Sequence, residues 1–99
     1  MTQTDVPRYA LTLFVNGASD LSSRAITNAR LLCERHLGGR YQLSVVDLRD
    51  EPGAAADSRV LAAPTLVRNR PLPVRRHVGE MAHTARVLKA LGLPDAAAG

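Results

Sequence analysis

Hydrophobic residues in the first half of the chain follow two different periods. Residues 9–15 form a nearly continuous apolar and β-branched run before an Asn-Gly pair, which is typical of a strand covered on both faces. Ser19 or Asp20 is expected to cap the helix that follows, and Gly38 to end it. The apolar stripe of this helix consists of Leu21, Ala25, Ile26, Ala29, Leu32, Cys33 and Leu37. Residues 41–48 indicate a second strand, so the pattern predicts a βαβ unit with a parallel strand pair.

The second half of the chain predicts shorter elements. Residues 51–61 favour a short helix, and residues 65–68 a strand. A turn over residues 69–73 precedes an antiparallel return strand over residues 74–78, where arginines discourage further pairing at a sheet edge. The apolar stripe and stop signals of a last helix are Met81, Ala85, Leu88, Leu91, Gly92 and Pro94.

The order of these elements predicts the fold class. A βαβ unit followed by a short helix and a ββα unit (βαβαββα) describes an α/β, thioredoxin-like domain with a four-stranded mixed sheet. A chain of 99 residues is long enough for one such domain, and no internal linker divides it. We expect a single domain over residues 1–99, with residues 1–8 and 95–99 frayed.

Positive charge is concentrated in one segment. The net charge is +4, but residues 59–86 alone contain six arginines against the single acid Glu80, a balance of +5. The guanidinium group suits paired recognition of carboxylate or phosphate. The clustering favours a binding face for an acidic partner, whereas scattered arginines would only keep a surface solvated.

Motifs for redox or metal chemistry are absent from the sequence. Thioredoxin-type exchange needs a thiol at the start of the first helix, and that loop has none. The lone Cys33 lies on the apolar stripe, which indicates a buried and inert thiol. His36 is interpreted as a charge at the helix end, and His77 and His83 as surface positions, so no metal site is predicted. A helix-start serine that activates glutathione is the enzymatic alternative, and it is ranked low.

Membrane and nucleic-acid partners are not favoured. No apolar run approaches the roughly 20 residues that span a bilayer, and the start lacks a secretory signal, so we expect a cytoplasmic protein. With only two tyrosines and one phenylalanine, the chain lacks a stacking platform for single-stranded nucleic acid. Duplex phosphate binding by charge alone stays open as an alternative.

Two stretches of the second half closely resemble the KaiB family. Residues 62–67 (Ala-Ala-Pro-Thr-Leu-Val) and 70–81 (Arg-Pro-Leu-Pro-Val-Arg-Arg-His-Val-Gly-Glu-Met) follow the family pattern of Ala-Thr-Pro-Thr-Leu, a Pro-rich turn, Val-Arg-Arg and Gly-Asp-Leu. The resemblance extends over residues 9–91 without an obvious gap. The alanine at position 63, Arg68 and Glu80-Met81 depart from the family's usual Thr, Lys and Asp-Leu.

The resemblance implies a non-enzymatic protein that needs no cofactor and binds the hexameric KaiC ATPase ring. KaiA-like and histidine-kinase partners are further candidates. It also implies two folds, a thioredoxin-like monomer that binds KaiC and a tetramer with the order βαββααβ, while a dimer is also conceivable. The alternative function is a redox-inactive thioredoxin-like signalling module that docks on a histidine kinase or another partner.

The resemblance also implies site residues. The partner-binding candidates are Arg24, Arg59, Arg68, Arg75 and Arg76, with Asp47 and the edge of the second strand as less certain additions. A cis peptide bond before Pro64 is implied by the resemblance, whereas base rates favour trans. Ala90 and Gly92 are expected to influence the balance of folds, because good helix formers over residues 87–91 favour the thioredoxin-like state.

Overall fold

The computed structural model describes residues 8–17, 19–50, 53 and 64–96. The elements are β1 (Tyr9–Val15), α1 (Asp20–Leu37), β2 (Tyr41–Asp47), β3 (Thr65–Arg70), β4 (Arg75–Val78) and α2 (Thr84–Leu91). The short helix predicted over residues 51–61 lies outside the described residues, apart from Gly53.

The strands form one mixed sheet in the order β2-β1-β3-β4. β1 pairs in parallel with β2 and antiparallel with β3, and β3 pairs antiparallel with β4. α1 therefore forms the crossover of the predicted βαβ unit. The predicted α/β, thioredoxin-like sheet is confirmed.

The main core lies between one face of the sheet and both helices. Alternate residues of β1 and β3 face this core because strand side chains alternate between faces. The buried strand residues are Leu11, Leu13, Val15 and Leu66, and the helices contribute Ala25, Ala29, Leu32, Cys33, Leu37, Val87, Leu88 and Leu91. On the opposite face, Phe14 and Val67 are buried together, with Val46 and Leu48 packed against them.

α1 begins as its sequence predicts, although its apolar stripe is narrower. The backbone N–H of Ser22 donates a hydrogen bond to the Ser19 hydroxyl, which is the predicted N-cap. Leu21 was expected to face the core but is 48% exposed, while Ser22 is buried in its place. The first turn of the helix is thus rotated so that Ser22 closes the loop after β1, where its hydroxyl accepts a hydrogen bond from the Asn16 backbone N–H.

α2 differs from its predicted stripe at the beginning. Met81 lies before the helix with a positive φ of 65°, and Ala85 is exposed. The buried helix residues are Val87, Leu88 and Leu91, so the apolar face is formed by the last two turns. Gly92 ends the helix in the left-handed conformation, as predicted, and its backbone N–H bonds to the carbonyls of Leu88 and Lys89.

The hairpin between β3 and β4 is tighter than its sequence suggests. β3 extends to Arg70, so two residues that were assigned to the turn belong to the strand. The peptide bonds before Pro71 and Pro73 are cis. β4 begins at Arg75 and lies at one edge of the sheet.

Candidate functional site

The two arginines of β4 point to opposite sides of the sheet. Arg75 lies opposite Arg68 and therefore shares the helix-covered face, whereas Arg76 lies opposite Val67 on the other face. Both arginines are exposed. Together they give this strand positive charge on both of its faces.

Arg68 is buried, unlike the arginines of β4. Only 6% of the residue is exposed, and its guanidinium donates hydrogen bonds to the Pro73 carbonyl at 2.8 Å and to the Gly92 carbonyl at 3.3 Å. Its Nε has no hydrogen-bond partner. In this conformation the guanidinium of Arg68 therefore joins β3, the hairpin turn and the end of α2, and it does not face a partner.

Arg24 lies on α1 and reaches toward the segment after β4. Its Nε is 2.9 Å from a carboxylate oxygen of Glu80, and both side chains are partly exposed to solvent. The Asn28 side chain donates a second bond, of 2.8 Å, to the Glu80 carbonyl. Arg24 is therefore held beside the end of β4, close to the two arginines of that strand.

The remaining predicted site residues are placed in part. Arg59 lies outside the described residues, and so does Ala63, which precedes Pro64. Pro64 itself is buried, and its carbonyl accepts a hydrogen bond from the Gly79 backbone N–H. Ala90 is partly buried in the last turn of α2.

A further cation lies close to β4. The pKa of His77 is lowered, first because the ring is desolvated and second because the Arg86 guanidinium is near. The described residues 64–96 contain the cations Arg68, Arg70, Arg75, Arg76, Arg86 and Lys89 and the acids Glu80 and Asp95. The edge of the sheet at β4 is therefore positively charged, which the clustering of arginines in the sequence predicted.

The loop between β1 and α1 holds no nucleophile arrangement among its described residues. The Ser19 hydroxyl bonds to the Ser22 hydroxyl at 3.0 Å and to the Ser22 backbone N–H at 3.1 Å. Both hydroxyls are engaged in capping α1. Cys33 is fully buried, and desolvation, with a smaller effect of the Glu34 charge, raises its pKa to about 11. The prediction of a buried and inert thiol is confirmed.

Asp47 closes the end of the parallel strand pair. Its carboxylate accepts hydrogen bonds from the backbone N–H groups of Arg49 at 2.9 Å and Gly17 at 3.2 Å. The pKa of Asp47 is lowered, chiefly by the Arg49 backbone bond and next by the Arg49 side chain. Gly17 has a positive φ of 75°, and a side chain there would meet the Arg49 guanidinium at 2.9 Å. Asp47 therefore has a structural role in this loop.

A cleft between α1 and the segment before α2 was not found from the sequence. It encloses about 400 Å³ and is lined by residues such as Leu31, Glu34, Met81 and Thr84. His36 lines it as well, and the interpretation of this residue as a charge at the helix end is corrected: its side chain is only 3% exposed. Its Nδ1 accepts a hydrogen bond from the Ala96 backbone N–H, so the ring ties the segment after α2 to α1.

Two searches of the described residues gave negative results. No helix in the described part of the chain is long and apolar enough to cross a membrane. Residues 8–17, 19–50, 53 and 64–96 contain no cluster of three or more His, Cys, Asp or Glu side chains that would hold a metal ion.

Comparison with known proteins identifies similar sequences over most of the chain. A family model described as the KaiB domain matches residues 12–93. The circadian clock protein KaiB3 of Synechocystis sp. is 33% identical over 89 residues, which cover 90% of this chain and 87% of that protein. The circadian clock oscillator protein KaiB of Prochlorococcus marinus is 39% identical over 85 residues, which cover 86% of this chain and 73% of that protein.

Solved structures share the fold at lower sequence identity. The N-terminal domain of Synechococcus elongatus SasA has a TM-score of 0.69 at 20% identity, covering 88% of this chain and 83% of that domain. Mitochondrial thioredoxin 3 of Saccharomyces cerevisiae has a TM-score of 0.69 at 14% identity, covering 87% of this chain and 78% of that protein. At these identities the similarity concerns the thioredoxin-like fold.

Proposed function

The chain belongs to the KaiB family, and we propose that it is a non-catalytic adaptor that binds a KaiC-type ATPase ring. Binding would modulate the phosphorylation or ATPase cycle of the ring, in a circadian clock, another timing process or a stress response. The proposed adaptor acts in the cytoplasm, as a monomer in its thioredoxin-like form, and needs no cofactor. KaiA-like proteins and histidine kinases are additional candidate partners.

The observation that carries this proposal is the positively charged edge of the sheet at β4. Arg75 and Arg76 are exposed on an edge strand, and Arg24 is held beside its end by Glu80. A single exposed ion pair contributes only about 0 to 1 kcal/mol. Several guanidinium groups on one edge contribute jointly when an acidic surface covers them and excludes water. Arg68 supports this edge from inside, and the role of Arg59 stays a prediction.

The proposal is tested by measuring affinity for a purified KaiC-type hexamer from the same source. We expect the double variant Arg75→Glu/Arg76→Glu to weaken binding by roughly tenfold or more, about 1.5 kcal/mol. The matched control is Arg30→Glu/Arg35→Glu, which makes the same charge change at exposed positions of α1. Unchanged affinity of the β4 variant would reject this surface.

A second measurement tests the regulatory part of the proposal. The rate of ATP hydrolysis and the phosphorylation state of the ring are followed with and without this protein. We expect the wild-type chain to change at least one of them and the β4 variant to change neither. A protein that binds the ring but alters neither quantity would contradict the proposed modulation.

The enzymatic alternative predicts different behaviour. A glutathione-dependent enzyme would be retained on a glutathione resin and would transfer thiols. The hydroxyls of Ser19 and Ser22 are engaged in capping α1, so we expect neither retention nor transfer. The fold shared with the SasA domain supports the signalling-module alternative at the level of fold alone. Identification of the captured partner, a ring ATPase or a histidine kinase, separates the two adaptor roles.

A further inference from the structure

The hydrogen-bonding groups of β4 face in two directions. The backbone N–H of Gly79 donates to the Pro64 carbonyl at 2.9 Å, one step beyond the pairing of Thr65 with Val78. Residue pairs that exchange hydrogen bonds alternate along an antiparallel ladder. Arg75 and His77 therefore bond inward to β3, and the N–H and C=O groups of residues 74, 76 and 78 face away from it.

This outer edge is accessible along its length. Among the described residues, β4 pairs only with β3. The side chains of the outward-facing residues share one face because they alternate along the strand. Val74 is 45% exposed, Val78 is 57% exposed, and Arg76 between them is exposed. The edge thus combines a row of main-chain donors and acceptors with an apolar-basic-apolar row of side chains.

The charge of the edge selects among possible added strands. A second copy of this chain would place arginines against arginines, and like charges directly opposite each other destabilise strand pairs. An acidic segment would instead meet Arg76 on one face and Arg75 on the other. Glu80, the nearest acid along the chain, is already paired with Arg24.

We propose that the outer edge of β4 binds an extended acidic segment of the partner protein as an added strand. The inference deepens the proposed function and rests on it for the class of partner, an acidic protein surface. In antiparallel pairing, an acid of the partner lies opposite Arg76 and apolar residues lie opposite Val74 and Val78. Pro73, which has no N–H, limits the ladder at one end.

The chain itself, with a blocked synthetic peptide, provides the first test. The probe contains the segment Val-Thr-Glu-Glu-Val, whose first glutamate lies opposite Arg76 in the antiparallel register. Hydrogen exchange of assigned backbone amides is measured with and without the peptide. We expect the amides of Arg76 and Val78 to exchange rapidly in the free protein and to become protected when the peptide is added. The absence of protection at a saturating peptide concentration would overturn the proposal.

Matched peptides separate strand addition from simple charge attraction. N-methylation of the first glutamate removes an N–H that faces β4, and we expect affinity to fall by roughly tenfold. N-methylation of the second glutamate removes an N–H that faces away, so affinity should be unchanged. Equal effects of the two methylations would overturn strand addition. On the protein, Val78→Pro removes one outward N–H, while Val78→Ala retains it and serves as the control.

Two comparisons distinguish this inference from the alternatives. If a KaiC-type ring binds the chain without protecting the amides of Arg76 and Val78, the proposed function stands and strand addition is wrong. If a mixed-sequence DNA duplex binds the chain more tightly than the acidic peptide at the same salt concentration, the basic edge recognises phosphate and the inference is overturned.

Discussion

At the scale of single residues, Arg68 shows how a buried charge can be accommodated without a carboxylate. Its two hydrogen bonds go to carbonyls of Pro73 and Gly92, and the second lies at the C-terminus of α2. The carbonyl end of a helix carries partial negative charge and stabilises a nearby cation. The sequence gave no signal for this role, because the two carbonyls approach Arg68 only in the folded chain.

The role of Arg68 predicts a large effect of its removal. Arg68→Ala leaves both carbonyls without this donor, and we expect the free energy of unfolding to fall by about 1–3 kcal/mol. Arg70→Ala at the exposed end of β3 is the control and should change it by less than about 0.5 kcal/mol. Urea unfolding curves measure both values. Equal stability of the two variants would show that the Arg68 bonds do not stabilise this conformation.

Asp47 predicts an acid-dependent stability. Its pKa in the folded state lies below the ordinary value of 3.8, so the unfolded state takes up the proton first as the pH falls. The stabilisation is therefore fully present above about pH 4 and is lost as the pH falls through the lowered pKa. We expect Asp47→Asn to be less stable than wild type at pH 7 and to lose less stability on acidification.

Thermal unfolding between neutral and acidic pH measures this difference. Asp50→Asn changes an exposed carboxylate in the same turn and is the matched control. Parallel pH profiles for wild type and Asp47→Asn would contradict the role given to the bonds from Gly17 and Arg49.

At the scale of elements, local patterns predicted the existence of each described strand and helix. The bounds of β1 and the N-cap of α1 agree with the prediction because both depend on neighbouring residues alone. Leu21 and Ala85 were placed wrongly in the core, since periodicity does not show where the sheet stops covering a helix. The opposite directions of Arg75 and Arg76 were available from the sequence, because neighbouring strand residues always face opposite sides.

The end of α2 predicts a second stability difference. Gly92 has a φ of 62°, and a Cβ there would lie 3.0 Å from a guanidinium nitrogen of Arg68. We expect Gly92→Ala to lower the free energy of unfolding by about 1–2 kcal/mol, because an L-residue is strained in this conformation. Gly39→Ala is the control, since nothing lies within 4 Å of its added methyl group. A Gly92→Ala variant as stable as Gly39→Ala would contradict this account of the helix end.

At the scale of the whole molecule, the sheet brings together residues that are distant in sequence. Arg24 of α1 meets Glu80 after β4, and α2 packs beside β4. The sequence predicted the positive charge of this region and the family, and the fold distributes that charge over both faces of one edge strand. What the sequence missed, the burial of Arg68 and His36 and the cleft beside α1, depends on contacts between distant segments.

The central claim is that the thioredoxin-like conformation described for this chain is the one that binds the partner ring. Backbone chemical shifts of Val87, Leu88 and Leu91, measured in the free protein and in its complex with a KaiC-type hexamer, test this claim most directly. The account predicts helical shifts for these residues in both states, as in α2. Extended shifts for these residues in the bound protein would contradict it.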